Sequence, residues 1–319
     1  MALLQQHVDP GTPLIEVDQV SRSFHGVPVV RSVSLQVHAG EITALVGPNG
    51  SGKTTLMLML ATLLRPDTGS IKICGHNATS ATGPARASLG WMPDTLGAWG
   101  DLTVRETLAA VCAMYGLRGQ VATARVDELL ERTALAPLSS QRTHTLSRGQ
   151  KQRLSLARAL VHHPRVLLLD EPASGLDPEA RLAQRRLLLE LAAQGVAILV
   201  TSHVLDELEQ FATRVVFLRD GHTQDAGAVS AALQHTSEWR IRALDAAPLE
   251  AALTAQHVPW RVRSGLTGVN YLVDVVSEAE AVALLRGLVT AGVDVLEFTA
   301  ASGSLEQAFV QLNDSEAKS

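Results

Sequence analysis

The segment 47–54 has the residue types and the spacing of a loop that binds phosphate groups. It fits the pattern Gly-x-x-x-x-Gly-Lys-Ser/Thr, and its candidate nucleotide-binding residues are Gly47, Pro48, Asn49, Gly50, Ser51, Gly52, Lys53 and Thr54, followed by Thr55. Glycines let the backbone curl so that its N–H groups face phosphate oxygens, and a helix that begins there adds its positive end. Such a loop uses its lysine on the β- and γ-phosphates and its hydroxyl on Mg²⁺, which assigns these roles to Lys53 and Thr54. An ordinary glycine-rich turn is the alternative.

Two acidic residues supply the second group that phosphate chemistry requires. The apolar run Val166–Asp170 ends in a carboxylate, and Glu171 follows it directly. A carboxylate at the end of a buried strand can hold Mg²⁺ through a bound water, while its neighbour polarises the attacking water. Asp170 is therefore a candidate metal residue and Glu171 a candidate catalytic residue. A solvated surface acid is the alternative for Glu171.

The phosphate loop needs a strand before it and a helix after it, and the sequence predicts both. Glu41–Val46 is a short apolar run that stops where the loop begins, and Leu56–Leu64 is typical of a buried helix. Val166–Asp170 and Val196–Thr201 are continuous apolar runs of the kind that parallel sheets bury. Further β-rich runs come first, and a capped helix opens a long helical stretch; these are Leu14–Val20, Val29–Val37 and Thr103–Leu160. The alternation over residues 13–222 predicts an α/β domain.

Beyond a polar segment, the pattern predicts a second, smaller domain. Its strands are predicted at Glu238–Ala243, Pro259–Arg263, Val269–Val276 and Val293–Thr299, and its helices at Ala247–Gln256, Ser277–Ala291 and Ser304–Leu312. The order βαββαβ is typical of a small ferredoxin-like α+β sandwich. We therefore predict an accessory domain at 238–313, joined by a linker at 223–237. Arginines alternate along its strands as on a solvated sheet face, and a role in dimerisation or stability is the favoured interpretation.

One segment links these motifs to a known family. Residues 146–150 read Leu-Ser-Arg-Gly-Gln and resemble the LSGGQ signature of ABC ATPases. The order of motifs is also similar: the phosphate loop, the signature, the strand that ends in Asp170, a D-loop at 174–177, and a switch histidine at His203. The resemblance covers 13–222. It implies a P-loop ABC-type nucleotide-binding domain with a RecA-like core, an antiparallel β subdomain and a helical subdomain, which binds ATP and Mg²⁺.

The family's roles carry over to the matching residues. Ser147 and Gly149, at the start of a helix, would donate to the γ-phosphate of an ATP held by a second subunit, and Arg148 and Gln150 complete that signature. In the D-loop, Ser174 begins the motif and Asp177 would touch the facing phosphate loop. Glu171 would act as the general base or position the water, and His203 would bond the γ-phosphate. One chain does not complete its own site, so the resemblance implies a head-to-tail dimer with a second copy or a paralogue.

The sequence departs from the family pattern in two places. Arg148 stands where many members have glycine, a variant that resembles drug, antibiotic and ABC-2-type exporter subunits. Asp94 stands where the Q-loop normally has a glutamine that contacts Mg²⁺; a carboxylate could bind the metal through water, but it reaches less far. Phe24 occupies the place of the aromatic ring that stacks on adenine, although it could instead be a core residue. Past the Q-loop, Trp99 would face either the membrane subunit or the protein interior.

Composition excludes several other classes of protein. The net charge is −5, with acids and bases interspersed, which argues against a nucleic-acid surface. No stretch approaches the ~20 apolar residues that a membrane span needs, and the first residues do not resemble a signal peptide. Cys74 and Cys112 lack metal-site spacing, which favours a reduced compartment. We therefore expect a cytoplasmic protein, peripheral on the inner face of the cell membrane, whose membrane-spanning permease is a separate chain.

Three functions compete at this level. Export through an ABC-2-type permease is favoured by Arg148, Asp94 and the extra C-terminal domain. Methionine importers also carry a small ferredoxin-like domain, so an importer with a regulatory domain is the alternative. Soluble ABC ATPases that act on ribosomes carry two cassettes, whereas this sequence has one phosphate loop and one signature. Their DNA-repair relatives split the cassette with a long insert, for which 103–160 is too short.

Overall fold

The structure, a computed structural model, describes residues 12–95, 97, 99–202, 205–224, 237–265, 268–275 and 277–300. The chain divides into two compact units, Met1–Gln224 and Asp225–Ser319. Most of the predicted linker 223–237 lies outside the described residues, so its limits and those of the domains beside it stay predictions. No helix in the described part of the chain is long and apolar enough to cross a membrane.

The first unit alternates strands and helices. Its strands are β1 (Pro13–Phe24), β2 (Val27–His38), β3 (Ile42–Val46), β4 (Thr68–Ile73), β5 (His76–Asn77), β6 (Leu89–Met92), β7 (Val166–Asp170), β8 (Ala197–Thr201), β9 (Arg214–Arg219) and β10 (His222–Thr223). Its helices are α1 (Lys53–Leu60), α2 (Thr82–Ala87), α3 (Val104–Met114), α4 (Gly119–Arg132), α5 (Arg148–Leu160), α6 (Pro178–Ala193) and α7 (Leu205–Glu209), with short 3-10 turns at Ala136–Leu138 and Thr143–Thr145.

The larger sheet brings the predicted site residues to one edge. Its strand order is β10-β9-β3-β8-β7-β6, and all neighbouring pairs from β9 to β6 are parallel. Every residue of β3, β7 and β8 is buried, as the continuous apolar runs predict. In parallel strands the carboxyl ends meet at one edge of the sheet. The phosphate loop after β3, Asp170 at the end of β7 and Thr201 at the end of β8 therefore lie at the same edge.

The second sheet of this unit is antiparallel, in the order β2-β1-β4-β5. Its first two strands are 12 residues long each, longer than Leu14–Val20 and Val29–Val37. The extension is a hairpin whose turn uses positive φ at His25 and Gly26. Its strand ends carry polar side chains without apolar alternation, so the sequence pattern did not indicate them. Apolar residues of this sheet, of α1 and of the larger sheet form one core.

Two helix boundaries show how local chemistry sets the elements. The predicted capping box opens α3: Thr103 Oγ1 accepts from the Glu106 N–H over 3.1 Å, and Glu106 Oε2 accepts from the Thr103 N–H over 2.8 Å. The apolar run Leu56–Leu64 is helical only to Leu60. The chain then turns at Thr62, whose φ of 59° is a left-handed conformation that an α-helix does not use.

The second unit has the predicted βαββαβ order. It contains β11 (Ser237–Ala243), α8 (Ala246–Ala255), β12 (Trp260–Gly265), β13 (Gly268–Val275), α9 (Glu278–Thr290) and β14 (Val295–Ala300). The sheet is antiparallel in the order β12-β13-β11-β14, and both helices contribute to its core. Three of the alternating arginines pair with acids: Arg240 and Arg242 with Glu297, and Arg261 with Glu238 and Asp274. The predicted helix Ser304–Leu312 lies outside the described residues.

Candidate active site

The phosphate loop joins β3 to α1 in the context that the motif requires. Gly52 caps α1 in the left-handed conformation, with φ 101°, and Gly50 has φ 83°. Gly47 and Gly52 also touch backbone directly, because an added β-carbon would lie 2.1 Å from Leu218 O and 2.7 Å from Val29 O, respectively. Side chains at these positions would displace the loop. The path of the loop therefore requires glycine at these positions.

Lys53 is the first residue of α1, and its side chain turns back over the loop. Its Nζ donates to Gly47 O over 2.7 Å and to Pro48 O over 3.0 Å. Burial lowers the pKa of this ammonium, while the negative charges of Glu171 and Asp170 raise it. The ammonium is thus held between the loop and the acidic end of β7. Thr54 and Thr55 continue the first turn of α1, and Thr54 is exposed.

Asp170 ends β7 at the same edge and is 5% exposed. Burial raises the pKa of its carboxyl, and the nearby negative charges of Glu171 and Asp94 raise it further. Asp94 is exposed and follows β6, which neighbours β7. Three carboxylates therefore share this edge of the sheet. Their repulsion creates a region in which a cation would be stabilised.

Glu171 occupies a turn that the surrounding residues hold firmly. Its φ is 51°, a conformation that costs a non-glycine residue about 1 kcal/mol or more. Its N–H donates to Thr201 O and Oγ1 over 3.2 and 3.1 Å, and its carbonyl accepts from Gln152 Nε2 over 2.8 Å. The Ser174 N–H donates to the same carbonyl over 3.1 Å. These hydrogen bonds offset the backbone strain. They also fix the position of the Glu171 backbone from which the carboxyl side chain extends.

Thr201 is a further candidate site residue, which its place in the sequence did not indicate. It is fully buried, and its hydroxyl donates to Asp170 Oδ1 over 2.6 Å while accepting from the Glu171 N–H. One hydroxyl thus positions both acids of the site. The available signal was a polar residue at the carboxyl end of a buried strand. The sequence did not reveal that Thr201 contacts both acids, because the pairing of β7 with β8 is not a local property.

Thr201→Val tests this role, since it keeps the side-chain size and removes the hydroxyl. We expect kcat/KM for ATP to fall by about tenfold or more, because a hydrogen bond to a charged group contributes about 1.5–3 kcal/mol. Steady-state ATPase assays over a range of Mg²⁺ concentrations measure the effect. Thr201→Ser, which keeps the hydroxyl, is the matched control and should stay near the wild-type rate. A fully active valine variant would remove Thr201 from the site.

The signature residues form the tip of α5, defined here as 147–150. Ser147 Oγ accepts from the Gln150 N–H over 3.3 Å, and Gln150 Oε1 accepts from the Ser147 N–H over 2.8 Å. This second capping box was not predicted, and it uses Gln150 to shape the tip. The Ser147 hydroxyl keeps its own proton, so it remains able to donate to a ligand. Arg148 and Gly149 occupy the first turn of α5.

The D-loop, 174–177, connects the Glu171 turn to α6. Asp177 is the N-cap of α6, and its Oδ1 accepts from the Ala180 N–H over 2.8 Å. Its carboxylate therefore has a structural task within this chain. Ser174 lies at the other end of the D-loop, where its Oγ accepts from Arg148 Nη2 over 2.8 Å. The D-loop and the α5 tip are neighbours within one chain.

Phe24 lies on the antiparallel sheet, and its exposure shows whether it is a core residue. Phe24 ends β1 and is 39% exposed, with the Arg22 guanidinium 5.0 Å from the ring centroid. Arg22 is itself paired with Asp67 at 2.6 Å. Phe24 is therefore a surface ring rather than a core residue. His203 lies outside the described residues, so its place in the site stays a prediction.

Comparison with known proteins gives consistent results over the first unit. The family model for ABC transporters matches residues 30–174. The Nod factor export ATP-binding protein I of Burkholderia lata is 40% identical over 220 residues, which cover 69% of this chain and 72% of that protein. The probable multidrug ABC transporter ATP-binding protein YbhF of Escherichia coli strain K12 is 42% identical over 199 residues, or 62% of this chain and 34% of that protein.

Solved structures resemble the same part of the chain. An ATP-binding subunit of an ABC transporter has a TM-score of 0.64 and 29% identity, and the match covers 68% of this chain and 92% of that one. A bacterial ABC transporter cassette solved as a dimer has a TM-score of 0.62 and 25% identity, with 66% and 97% covered.

Proposed function

The chain belongs to the ABC transporter family as an ATP-binding and ATP-hydrolysing subunit, and from this premise we propose that it powers export through a separate membrane permease of the ABC-2 type. The observation that carries the export direction is the similarity to an export ATP-binding protein over more than two thirds of both chains. Arg148 in the signature supports the same direction. We also propose an accessory role for the second unit, because several of its arginines form ion pairs with acidic residues of the same unit.

The positions of the site residues support the part that one chain would play in ATP hydrolysis. The loop 47–54 and Lys53 bind the β- and γ-phosphates, because backbone N–H groups and an ammonium converge at the start of α1. Glu171, held by the bonds to its backbone, accepts a hydrogen bond from the attacking water and orients it toward the γ-phosphorus. His203, directly after Ser202 in the sequence, would hold the γ-phosphate from the other side. The exposed ring of Phe24 is available to stack on adenine.

The residues at this edge also fit Mg²⁺. Among the described residues, no group of three His, Cys, Asp or Glu side chains is arranged to hold a metal ion alone. Mg²⁺, however, commonly keeps several waters and uses one or two carboxylates plus substrate phosphates. We assign it to the Thr54 hydroxyl and, through water, to Asp170 and Asp94, whose mutual repulsion a divalent cation would relieve. Bound there, it would neutralise charge on the β- and γ-phosphate oxygens.

A second copy of the chain would complete the site. We assign Ser147 and Gly149 to the γ-phosphate of the ATP held by the facing subunit, and Asp177 to its phosphate loop. A helix start with small residues suits an anion, since its N–H groups lack partners within the helix. The related cassette solved as a dimer supports this assembly. Each ATP would then lie between the loop of one copy and the α5 tip of the other.

The surface after the Q-loop is our proposed contact with the permease. Trp99 is 41% exposed, and the Arg158 guanidinium lies 5.5 Å from the centroid of its ring. Arg158 also donates to Gly97 O, and Thr143 Oγ1 donates to Trp99 O over 2.7 Å. The segment is thus anchored to the helical layer while the indole stays accessible. Asp94 precedes it directly, so a displacement of this surface would reach the acidic edge of the sheet.

Reconstitution tests the proposed function. The chain is co-expressed with the candidate permease and placed in lipid vesicles, with the nucleotide on the side of the ATPase. We expect co-purification, ATP hydrolysis that the permease stimulates, and substrate movement away from the nucleotide-containing side. Movement toward that side would identify an importer, and hydrolysis that no permease changes would contradict a transport role.

In the same assay, Asp94→Gln should alter the stimulation of ATP hydrolysis by the permease if Asp94 links the permease to the metal. Unchanged stimulation would contradict that link.

A further inference from the structure

The α5 tip lies directly against the D-loop of the same chain. A β-carbon added to Gly149 would lie 3.0 Å from Gly175 O. Because no side chain fits between them, the two backbones pack against each other. The capping box of Ser147 and Gln150 fixes where the tip begins. The two segments of this chain that would contact the facing subunit therefore form one continuous surface.

Arg148 fastens this contact. Its Nη2 donates to Ser174 Oγ over 2.8 Å. Its aliphatic stem crosses the next residue, since a β-carbon on Gly175 would lie 2.8 Å from Arg148 Cδ. Gly175 has φ 75°, so both its conformation and its missing side chain make room for the arginine. A glycine at position 148 would make neither contact.

The same helix contacts the same turn at a second point. Gln152, which is 1% exposed, donates from Nε2 to Glu171 O over 2.8 Å. Arg148 and Gln152 are four residues apart and so share one face of α5. Ser174, the partner of Arg148, donates its own N–H to Glu171 O over 3.1 Å. The Arg148 contact is therefore one hydrogen-bonded residue away from the turn that carries Glu171.

We propose that Arg148 is a positioning residue that couples the two ATP sites of the dimer, an inference that rests on the proposed function. The α5 tip serves the ATP of the facing subunit, whereas Glu171 serves the ATP of its own chain. The bond from Arg148 to Ser174 joins these two elements. In one chain it is exposed, and water competes with it. Burial in the dimer interface removes that water and strengthens the bond at the moment when both sites are assembled.

The test combines Arg148→Ala and Ser174→Ala, singly and together, in the full chain. We expect each single variant to lower kcat by about 3- to 10-fold, the range that follows from losing one hydrogen bond of this kind. The Hill coefficient for ATP should fall toward 1. The affinity of the isolated subunit for a fluorescent ATP analogue should stay unchanged, because the bond is outside the chain's own ATP site. Since both variants remove the same bond, the double variant should be no slower than the slower single variant.

Arg148→Lys is the conservative control, since an ammonium can still donate to Ser174, and it should recover part of the lost Hill coefficient. Effects of the two alanine variants that multiply would overturn the inference and show that Arg148 acts on the phosphate directly. An unchanged kcat and Hill coefficient in Arg148→Ala would overturn it as well. Failure of the proposed function looks different: the unmodified chain would not dimerise with ATP, or its ATP hydrolysis would not respond to a permease.

Discussion

Replacing Glu171 with glutamine should reduce ATP turnover by about 100-fold or more and trap the protein as an ATP-bound dimer. Glutamine keeps the side-chain length. The N–H of residue 171 still donates to Thr201 and its carbonyl still accepts from Gln152, because both bonds involve only the backbone of residue 171. What is lost is the charge that orients and polarises the attacking water, and general-base assistance is worth about 10²- to 10⁴-fold. With hydrolysis blocked, ATP stays between the two chains.

Size-exclusion chromatography with ATP and Mg²⁺, together with phosphate-release kinetics, measures both parts of this result. Glu131→Gln is the matched control, because Glu131 is an exposed acid of α4, on the helical layer rather than at the acidic edge. It should hydrolyse ATP at the wild-type rate and dimerise only transiently. A Glu171→Gln variant that turns over normally would reject Glu171 as the residue that activates the water, and one that binds ATP yet stays monomeric would reject the shared site.

Replacing Lys53 with alanine should abolish turnover and weaken ATP binding by about 100-fold. The ammonium is the one side-chain charge of the phosphate loop, and its position over Gly47 and Pro48 places it where the β- and γ-phosphates would bind. Charge-assisted hydrogen bonds contribute about 1.5–3 kcal/mol each, and the lysine would make at least one to each phosphate. Their combined loss corresponds to about two or more powers of ten in affinity.

Fluorescence titration with an ATP analogue measures the binding, and thermal unfolding shows that the variant still folds. Lys72→Ala is the matched control: Lys72 lies on the antiparallel sheet in a 3.6 Å ion pair with Glu16, and surface pairs contribute only about 0–1 kcal/mol. It should bind and hydrolyse ATP normally. Unimpaired ATP binding in a folded Lys53→Ala variant would contradict the assignment of 47–54 as the nucleotide site.

The two units differ in how much of their fold local pattern predicts. In the first unit the predicted run Val166–Asp170 agrees with β7 at both ends, because a fully buried strand is apolar along its whole length. The hairpin end of β1 and β2 was missed, since half-exposed strand ends carry mixed residues. In the second unit the βαββαβ order follows from alternating strand and helix patterns. The order of its strands in the sheet depends on the βαββαβ connection as a whole, and no single segment predicts it.

Asp94, which stands where the family pattern has a glutamine, has a relation to other charges that its motif does not reveal. The motif context placed Asp94 at the Q-loop, but not its relation to other charges. The structure adds that Asp94 is close enough to Asp170 to raise the pKa of that buried carboxyl. This relation depends on β6 being paired with β7, two strands that are separated by more than 70 residues of helices and turns. An acid in this position therefore disfavours the charged form of Asp170.

The sequence by itself determined the chemistry of this protein. A phosphate loop, a strand that ends in Asp170 and Glu171, and the signature are contiguous motifs, and the properties of such motifs depend on neighbouring residues. Only the tertiary structure decided what supports them: Thr201 bridging both acids, Arg148 reaching Ser174, and Asp94 beside Asp170. These contacts join residues from 26 to 76 positions apart. Strand order and helix packing create these contacts, and the residue spacing within one segment predicts neither of them.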